Sequence, residues 1–409
     1  MTIREELFTP VRYTCDVLVA GGGIAGVSAA LSAARAGADV LLTEREYMLG
    51  GLATAGMVNI YLPLDDGMGH QASFGIAEEL LRLALPDALL KPSMEELDLW
   101  LSPHSAAERA QGPRYRLDFN PWLYAIACER LLRESGVRLL YGVTACGVHR
   151  EDAWVDAVIC EGKDGRFAIR ADSFVDATGD ADILHLAGAD TALYPQGNQL
   201  AAWYGFTNGD GTSGVKIMGV CDASEEEQKE GKTVEQLVDR RFAGVSAQEL
   251  TEVTLLSHRQ IAGDVLAQRR TKPGYDVASI PVIPQMRMTR RLCGLCEMTK
   301  DDDHRDLPDS VGLIGSWRMR GPAFAVPLRS LYGAQLQNVL AAGRCISTTD
   351  TMWDLTRVIP ACAVTGEAAG LAAAMTDDLR TLDVGAMQAT LRSRGIPLTM
   401  AEAGIGGVK

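Results

Sequence analysis

Between residues 15 and 45 the apolar positions change period three times. CDVLVA is a short β-branched run, GGGIAG a glycine turn, VSAALSAARAG an alanine-rich helical stretch closed at Gly37, and ADVLLTE a second apolar strand. That order predicts a βαβ start. From Ile60 to Arg116 the pattern turns irregular, with helix-like runs IAEELLRLAL and MEELDLWL and a polar break at SPHSAAERAQGP, as expected of an inserted segment. Residues 119–185 return to α/β alternation: the helix FNPWLYAIACERLLRES, the strand VRLLYG, alternating strands around AWVDAVICEG and RFAIRAD, and the buried run SFVDATG. A second excursion, from about Ala189 to Pro327, holds the charged stretch ASEEEQKEGK, a helical run from Val234 to about Arg270 and a basic strand-like segment, QMRMTRRLCGLCEMT. The chain closes on the strand and turn QNVLAAGRCIS and the small-residue helix PACAVTGEAAGLAAAM.

These elements predict an α/β protein. A Rossmann-like, doubly wound parallel sheet is assembled from residues 1–60, 117–188 and 328–409, with an α+β substrate domain inserted as residues 61–116 and 189–327. A length of 409 residues is enough for two or three domains. The net charge of −14 argues against a nucleic-acid partner. The amino terminus lacks a signal-like apolar core. The one long uncharged stretch, Val17–Ala34, is rich in glycine, serine and alanine, so a strand, turn and helix is expected there and no membrane span. Nine dispersed cysteines fit a reducing cytoplasm, where the protein is expected to reside.

Gly21, Gly23 and Gly26 satisfy G-x-G-x-x-G directly between a predicted strand and helix, so the turn, with Ile24 and Ala25, would present backbone N–H groups to a pyrophosphate. Glu44 ends the next strand, where a carboxylate accepts from an adenosine ribose and repels a 2′-phosphate. The competing reading is a tight turn that binds nothing. The fingerprint alone does not separate NAD from FAD. A second glycine loop, REYMLGGLATAG, offers Arg45, Gly50, Gly51, Leu52 and Thr54 as further cofactor contacts. Ala177, Thr178, Gly179 and Asp180 follow one buried strand, and Gly343 and Arg344 follow another, each at a carboxyl end where chain meets cofactor.

The order GGGIAG, Glu44, LGGLATAG, DATGDAD, MRMTRRLCG, VPLRSL, AAGRCIS and RVIPACAVTGEAAGLAAA resembles the FAD-dependent oxidoreductase family, which includes flavin domains similar to those of heterodisulfide reductase. It is more distantly similar to the glutathione reductase and fumarate reductase type of FAD fold. The resemblance implies that Gly21, Gly23, Gly26, Glu44, Gly51, Gly179, Gly343 and Arg344 touch FAD. It also implies that a helix opening near Thr365 and Gly366 aims its amino end at the flavin pyrimidine, where reduction places negative charge. The histidine-proline-threonine-glycine segment of succinate and fumarate enzymes is missing, as is a histidine ahead of the glycine pair for covalent attachment. Non-covalent FAD is therefore expected, and no second dinucleotide fingerprint provides for NAD(P)H.

The expected activity is hydride exchange between flavin N5 and a small polar, even anionic, organic substrate. The alternative is an FAD-containing electron-transfer subunit that works with a protein redox partner; homo-oligomerisation stays open. Arg357, just ahead of the last small-residue helix, and Arg287, Arg290 and Arg291 suit a carboxylate or phosphate, with surface ion pairs the plainer role for Arg290 and Arg291. His70, on a glycine-flanked loop, is the candidate for proton transfer, against a merely solvated loop histidine. Cys293 and Cys296 form a lone C-x-x-C without a partner pair, read as buried free thiols, and no metal site is predicted. His185 is read as packed.

Overall fold

The computed structural model describes residues 3–4, 6–85, 94–223, 225–229 and 231–406. Strand β1 (Val11–Ala20) passes from an exposed first half to the fully buried Val17–Ala20 and turns through glycines into α1 (Ile24–Arg35). Ten of the twelve residues of α1 are buried, which explains its alanine-rich composition: small side chains let the helix lie close to both its neighbours. β2 (Val40–Glu44) returns parallel to β1.

Two short paired strands, β3 (Ile60–Tyr61) and β4 (Leu117–Asp118), bring the ends of the first excursion together. It carries α2 (Ile76–Leu83), α3 (Met94–Leu101) and α4 (Ala106–Gln111). Expected beside the substrate layer, it instead packs Tyr61, Ile76, Leu80, Trp100 and Tyr115 into the same core as β1 and α1. α5 (Pro121–Glu134) starts where the Asn120 side chain accepts from the N–H groups of Trp122 and Leu123. β5 (Arg138–Tyr141) follows, then the antiparallel meander β6 (Thr144–Glu151), β7 (Trp154–Gly162) and β8 (Gly165–Asp176). β8 also runs parallel to β1 from Ala168 to Asp176.

The second excursion contains α6 (Asp182–Leu186), β9 (Thr191–Leu193), β10 (Tyr204–Thr207), β11 (Ser213–Lys216), α7 (Glu225–Lys229), α8 (Ala247–Arg269), β12 (Asp276–Ser279) and β13 (Arg290–Leu292). β10 lies between β11 and β12 in an antiparallel sheet, under which Tyr204, Ile261, Val265 and Tyr275 form a separate small core. α8 begins well after Val234 because Gly244 sits at φ +75° and the Ser246 side chain caps the helix, accepting from the Glu249 N–H at 3.2 Å. Only Arg290–Leu292 of the basic segment is strand, paired with β9. The acidic run at 225–230 forms α7, and its last residue, Glu230, lies outside the described residues.

A hairpin of β14 (Ser310–Gly315) and β15 (Ala323–Pro327) leads to β16 (Val339–Ala341), which adds parallel to Phe174–Asp176 of β8. The parallel core is therefore β5-β2-β1-β8-β16, with β7 and β6 continuing antiparallel, a Rossmann-like α/β sheet. α9 (Asp350–Thr356), α10 (Ile359–Met375) and α11 (Val384–Ser393) complete the chain. α10 opens at Ile359, more than a turn before the expected Thr365, because Pro360 suits the first turn, where no N–H partner is lost. Among the described residues no single helix is long and apolar enough to cross a membrane.

α10 lies against α1 through Gly366 and Gly370, four residues apart and hence on one face. A Cβ on Gly366 would overlap the carbonyl oxygen of Ala25, and one on Gly370 that of Ala29. Gly370→Ala is accordingly expected to cost about 1–3 kcal/mol in denaturant unfolding. Gly263→Ala, on the exposed face of α8 with open space at its Cβ position, is expected to gain about 0.5–1 kcal/mol in the same measurement.

Candidate cofactor cleft

The carboxyl ends of β1, β2, β8 and β16 open on one cleft, the place where α/β sheets of this kind take ligands. Of the residues expected to meet a cofactor, Gly21, Gly23, Ile24, Ala25, Glu44, Arg45, Gly50, Gly51, Leu52, Ala177, Thr178, Gly179, Asp180 and Arg344 line it, and so does Arg357. Val143–Ala145, beyond β5, and Met286, Ile359 and Cys362 also line it, outside the sequence expectation. For Val143 a signal exists: VRLLYG reads as a strand, and the carboxyl-end rule applied to it points to the next residue.

The glycine turn shows three different needs for glycine. Gly21 has φ +103°, and a Cβ on Gly26 would overlap the Gly21 carbonyl oxygen, so these two belong to the turn and to the entry of α1. Gly23 has φ −66° and ψ 178°, and a Cβ there would meet no protein atom within 4 Å. Neither strain nor packing calls for glycine at that position. The open space in front of it is the cleft, so the backbone is left bare for something outside the chain. The Gly22 N–H donates to Glu44 Oε2 (2.6 Å) and the Glu46 N–H to Oε1 (2.8 Å), which aims the carboxylate along the cleft wall. Burial pushes the Glu44 carboxyl up, and these two N–H groups pull it back. The Gly50 N–H donates to the Gly22 carbonyl at 2.8 Å, joining the second glycine loop to the first.

On the facing wall Asp176 organises the loop after β8. Fully buried, it accepts from the Leu184 N–H (3.0 Å), the Thr178 N–H (3.1 Å) and the Thr178 hydroxyl (2.7 Å). Burial pushes its carboxyl up to about 6. Asp180 accepts from Arg344 at 3.0 Å, and Arg344 donates also to the Met286 carbonyl, which ties the second excursion to the cleft. The first turn of α10, which has no side-chain cap, starts at Ile359, a residue of the cleft lining. Arg357 next to it is largely buried and paired with Asp354; burial opposes its charge, and Asp354 more than restores it.

Several predicted residues lie elsewhere. Gly26, Gly343 and Gly366 serve packing: the Gly343 N–H donates to Thr365 Oγ1 (3.0 Å), and a Cβ on Gly343 would crowd that of Ala25. Thr365 is in the second turn of α10, fully buried, so it opens no helix toward the cleft. Thr54 is buried and donates to the Leu49 carbonyl, shaping the second loop from behind. His70 is outside the cleft: its Nδ1 lies 2.9 Å from Asp66 Oδ2, inside a tight loop whose residues Gly67 and Gly69 have positive φ. Arg290 pairs with Asp182 and Arg291 with Glu297, ion pairs as expected but with both guanidiniums largely buried rather than on the surface. His185 is exposed and Cys293 is exposed rather than buried, because β13 ends at Leu292 and the chain bends at Leu295–Cys296. Among the described residues no group of histidine, cysteine and carboxylate side chains is arranged to hold a metal ion.

Comparison with known proteins gives a consistent result. A family model described as FAD dependent oxidoreductase matches residues 16–202 and 205–391. A stretch of 153 residues, 36% of the chain, is 30% identical to a probable electron transfer flavoprotein-quinone oxidoreductase of Escherichia coli (strain K12) and covers 32% of that protein. A stretch of 64 residues, 16% of the chain, is 39% identical to one chain of the ferredoxin:CoB-CoM heterodisulfide reductase of Methanosarcina mazei and covers 8% of it. The matches thus span a third or less of these relatives. The crystal structure of p-nitrophenol 4-monooxygenase from Pseudomonas putida superposes over 96% of this chain and 83% of that one, with 15% identity and a TM-score of 0.46.

The bare Gly23 backbone, the Glu44 wall and the α10 end fit an extended dinucleotide such as FAD. Gly23→Ala is expected to leave apoprotein stability within about 0.5 kcal/mol and to weaken FAD at least about tenfold. Gly26→Ala is expected to lower stability itself; calorimetric titration with FAD and thermal melts separate the two. Asp176 holds its proton to higher pH in the folded than in the unfolded chain. Its contribution to stability is therefore fully present below pH 3.8 and lost as pH rises through about 6. Asp176→Asn is expected to flatten stability across that window, as read from denaturant unfolding at a series of pH values.

Proposed function

Because this chain belongs to the FAD dependent oxidoreductase family, it is an oxidoreductase with FAD as cofactor, and we propose that FAD lies along this cleft and exchanges hydride with a small polar organic molecule. The substrate sits between the cleft and the layer built on β10–β12. One observation carries the reading: the bare glycine turn and the uncapped end of α10 open on the same cleft. The glycine turn and the first turn of α10 thus both contribute backbone to the wall of one cleft.

In this reading the N–H groups at the start of α1 take the diphosphate. Glu44 takes ribose hydroxyls on the lone pairs left by Gly22 and Glu46, and its charge rejects a 2′-phosphate. Bound flavin supplies a two-electron donor and acceptor. The first-turn backbone of α10 would offer partial positive charge to the anion that reduction brings, and Arg344, paired with Asp180, fixes the loop after β8 in the cleft wall. His70 takes no part. A second reading, an FAD-containing electron-transfer subunit serving a protein partner, is favoured by the exposed apolar Leu255 and Val282 at the rim beside Arg45. The partial similarity to an electron transfer flavoprotein-quinone oxidoreductase points the same way.

The purified protein is expected to be yellow and to release unmodified FAD on acid precipitation, as non-covalent binding requires. Anaerobic addition of small polar alcohols, amines and hydroxy acids is expected to bleach the flavin band. Bleaching that occurs only with a reduced partner protein replaces the first reading by the second. A colourless protein that takes up no FAD overturns both.

A further inference from the structure

Behind the Arg357 wall of the cleft lies an excess of buried positive charge. Arg318 is saturated: it donates to Asp354, to Glu227 (2.6 Å) and to the Asp222 carbonyl (2.8 Å). Arg357 shares Asp354 and reaches Cys221 Sγ at 3.2 Å, while its Nε is buried with no hydrogen-bond partner. Arg287 is 6% exposed, and its guanidinium, whose nitrogens keep a little access to solvent, makes no hydrogen bond or ion pair among the described residues. It lies over the Trp203 ring, 5.7 Å from the centroid. Burial, and Arg357 nearby, push the Arg287 guanidinium down to about 10. Three guanidiniums thus share two carboxylates, Asp354 and Glu227, and the one left without a partner is among the most buried.

A buried unpaired guanidinium is costly and persists where an anion completes it. The surroundings say where that anion comes from. Met286 lines the cleft, as does Arg357, while Gln285 and Arg287, on either side of Met286 in the chain, stand outside the lining itself. Gln285 donates to the Gly56 carbonyl at the end of the second glycine loop, and its Oε1 is buried without a donor. A carboxyl-bearing molecule with a neighbouring hydroxyl or amine that reached past Met286 and Arg357 would bring an acceptor to the Arg287 fork and a donor to Gln285.

We infer that Arg287 and Arg357 form a carboxylate subsite at the redox end of the cleft, so that the substrate is a hydroxy or amino acid anion rather than a neutral alcohol or a phosphate ester. This rests on the reading that the organic substrate meets the cofactor there. The arginine fork holds the carboxylate, and Gln285 orients the adjacent polar group.

The FAD-loaded protein is titrated with glycolate, lactate and glycine, with ethanol, acetamide and inorganic phosphate as comparators, while flavin absorbance is followed. Saturable perturbation by the carboxylates alone is expected, and Arg287→Gln is expected to weaken it about tenfold to a hundredfold. FAD affinity is expected to stay unchanged and Arg287→Lys to recover part of the loss. In parallel, phenylglyoxal labelling of the unmutated protein, mapped by mass spectrometry, is expected to be slowed at Arg287 by glycolate and not by acetamide, a result that holds even if Arg287→Gln fails to fold. Equal carboxylate binding in Arg287→Gln, phosphate as the preferred anion, or no carboxylate effect on flavin or label overturns the subsite. A protein that takes up no FAD overturns the proposed function instead, and is seen separately in the uptake measurement.

Discussion

Backbone against backbone, where α1 crosses α10, is the contact on which the rest of the molecule depends. Gly366 and Gly370 let the two helices approach to the limit set by the carbonyls of Ala25 and Ala29. Because the two helices are joined there, the start of α1 and the start of α10 are held to the same cleft and cannot shift independently. The hydroxyl of Thr365 extends the constraint, since it accepts from the Gly343 N–H and so fixes the turn after β16. Alanine-rich composition on both helices is the sequence signature of this closeness: larger side chains would push the two dipoles apart.

The second constraint is electrostatic. Asp176 and Glu44 are buried carboxylates spent on backbone N–H groups, each shaping a loop rather than meeting a cation. Arg344 does the opposite, reaching from the loop after β16 to Asp180 and to the Met286 carbonyl. One side chain thereby joins the parallel sheet to the excursion that carries β10–β12, and any movement between them has to break its hydrogen bonds.

Much of this is legible in the chain because its signals are local. The glycine turn, Glu44 and the strand ends that follow a buried run obey spacing rules enforced within a few residues, and they line the cleft. The misplacements come from long-range effects. Gly366 reads as a cofactor contact until the Ala25 carbonyl, hundreds of residues away in the chain, is found against it. The start of α10 is obscured by Pro360, which resembles a barrier although the first turn tolerates it. His70 stands out through its glycine-flanked loop, and that loop closes on Asp66 instead of the cleft. The insertion at 61–116 joins the main core rather than a second layer, since irregular patterning does not reveal which core a segment enters.

The shared strand β8 has a consequence for how the molecule comes into being. Its inner edge pairs with β1 and its outer edge, at Phe174–Asp176, waits for Val339–Ala341. During synthesis the ribosome must deliver the whole of the second excursion before that edge is covered, and longer still before α10 arrives to clasp α1. A nascent chain halted anywhere in between carries the nucleotide fingerprint complete and yet exposes an unpaired parallel edge. The ligand cleft is complete only once α10 has been made, so a product truncated before it would be sticky and colourless.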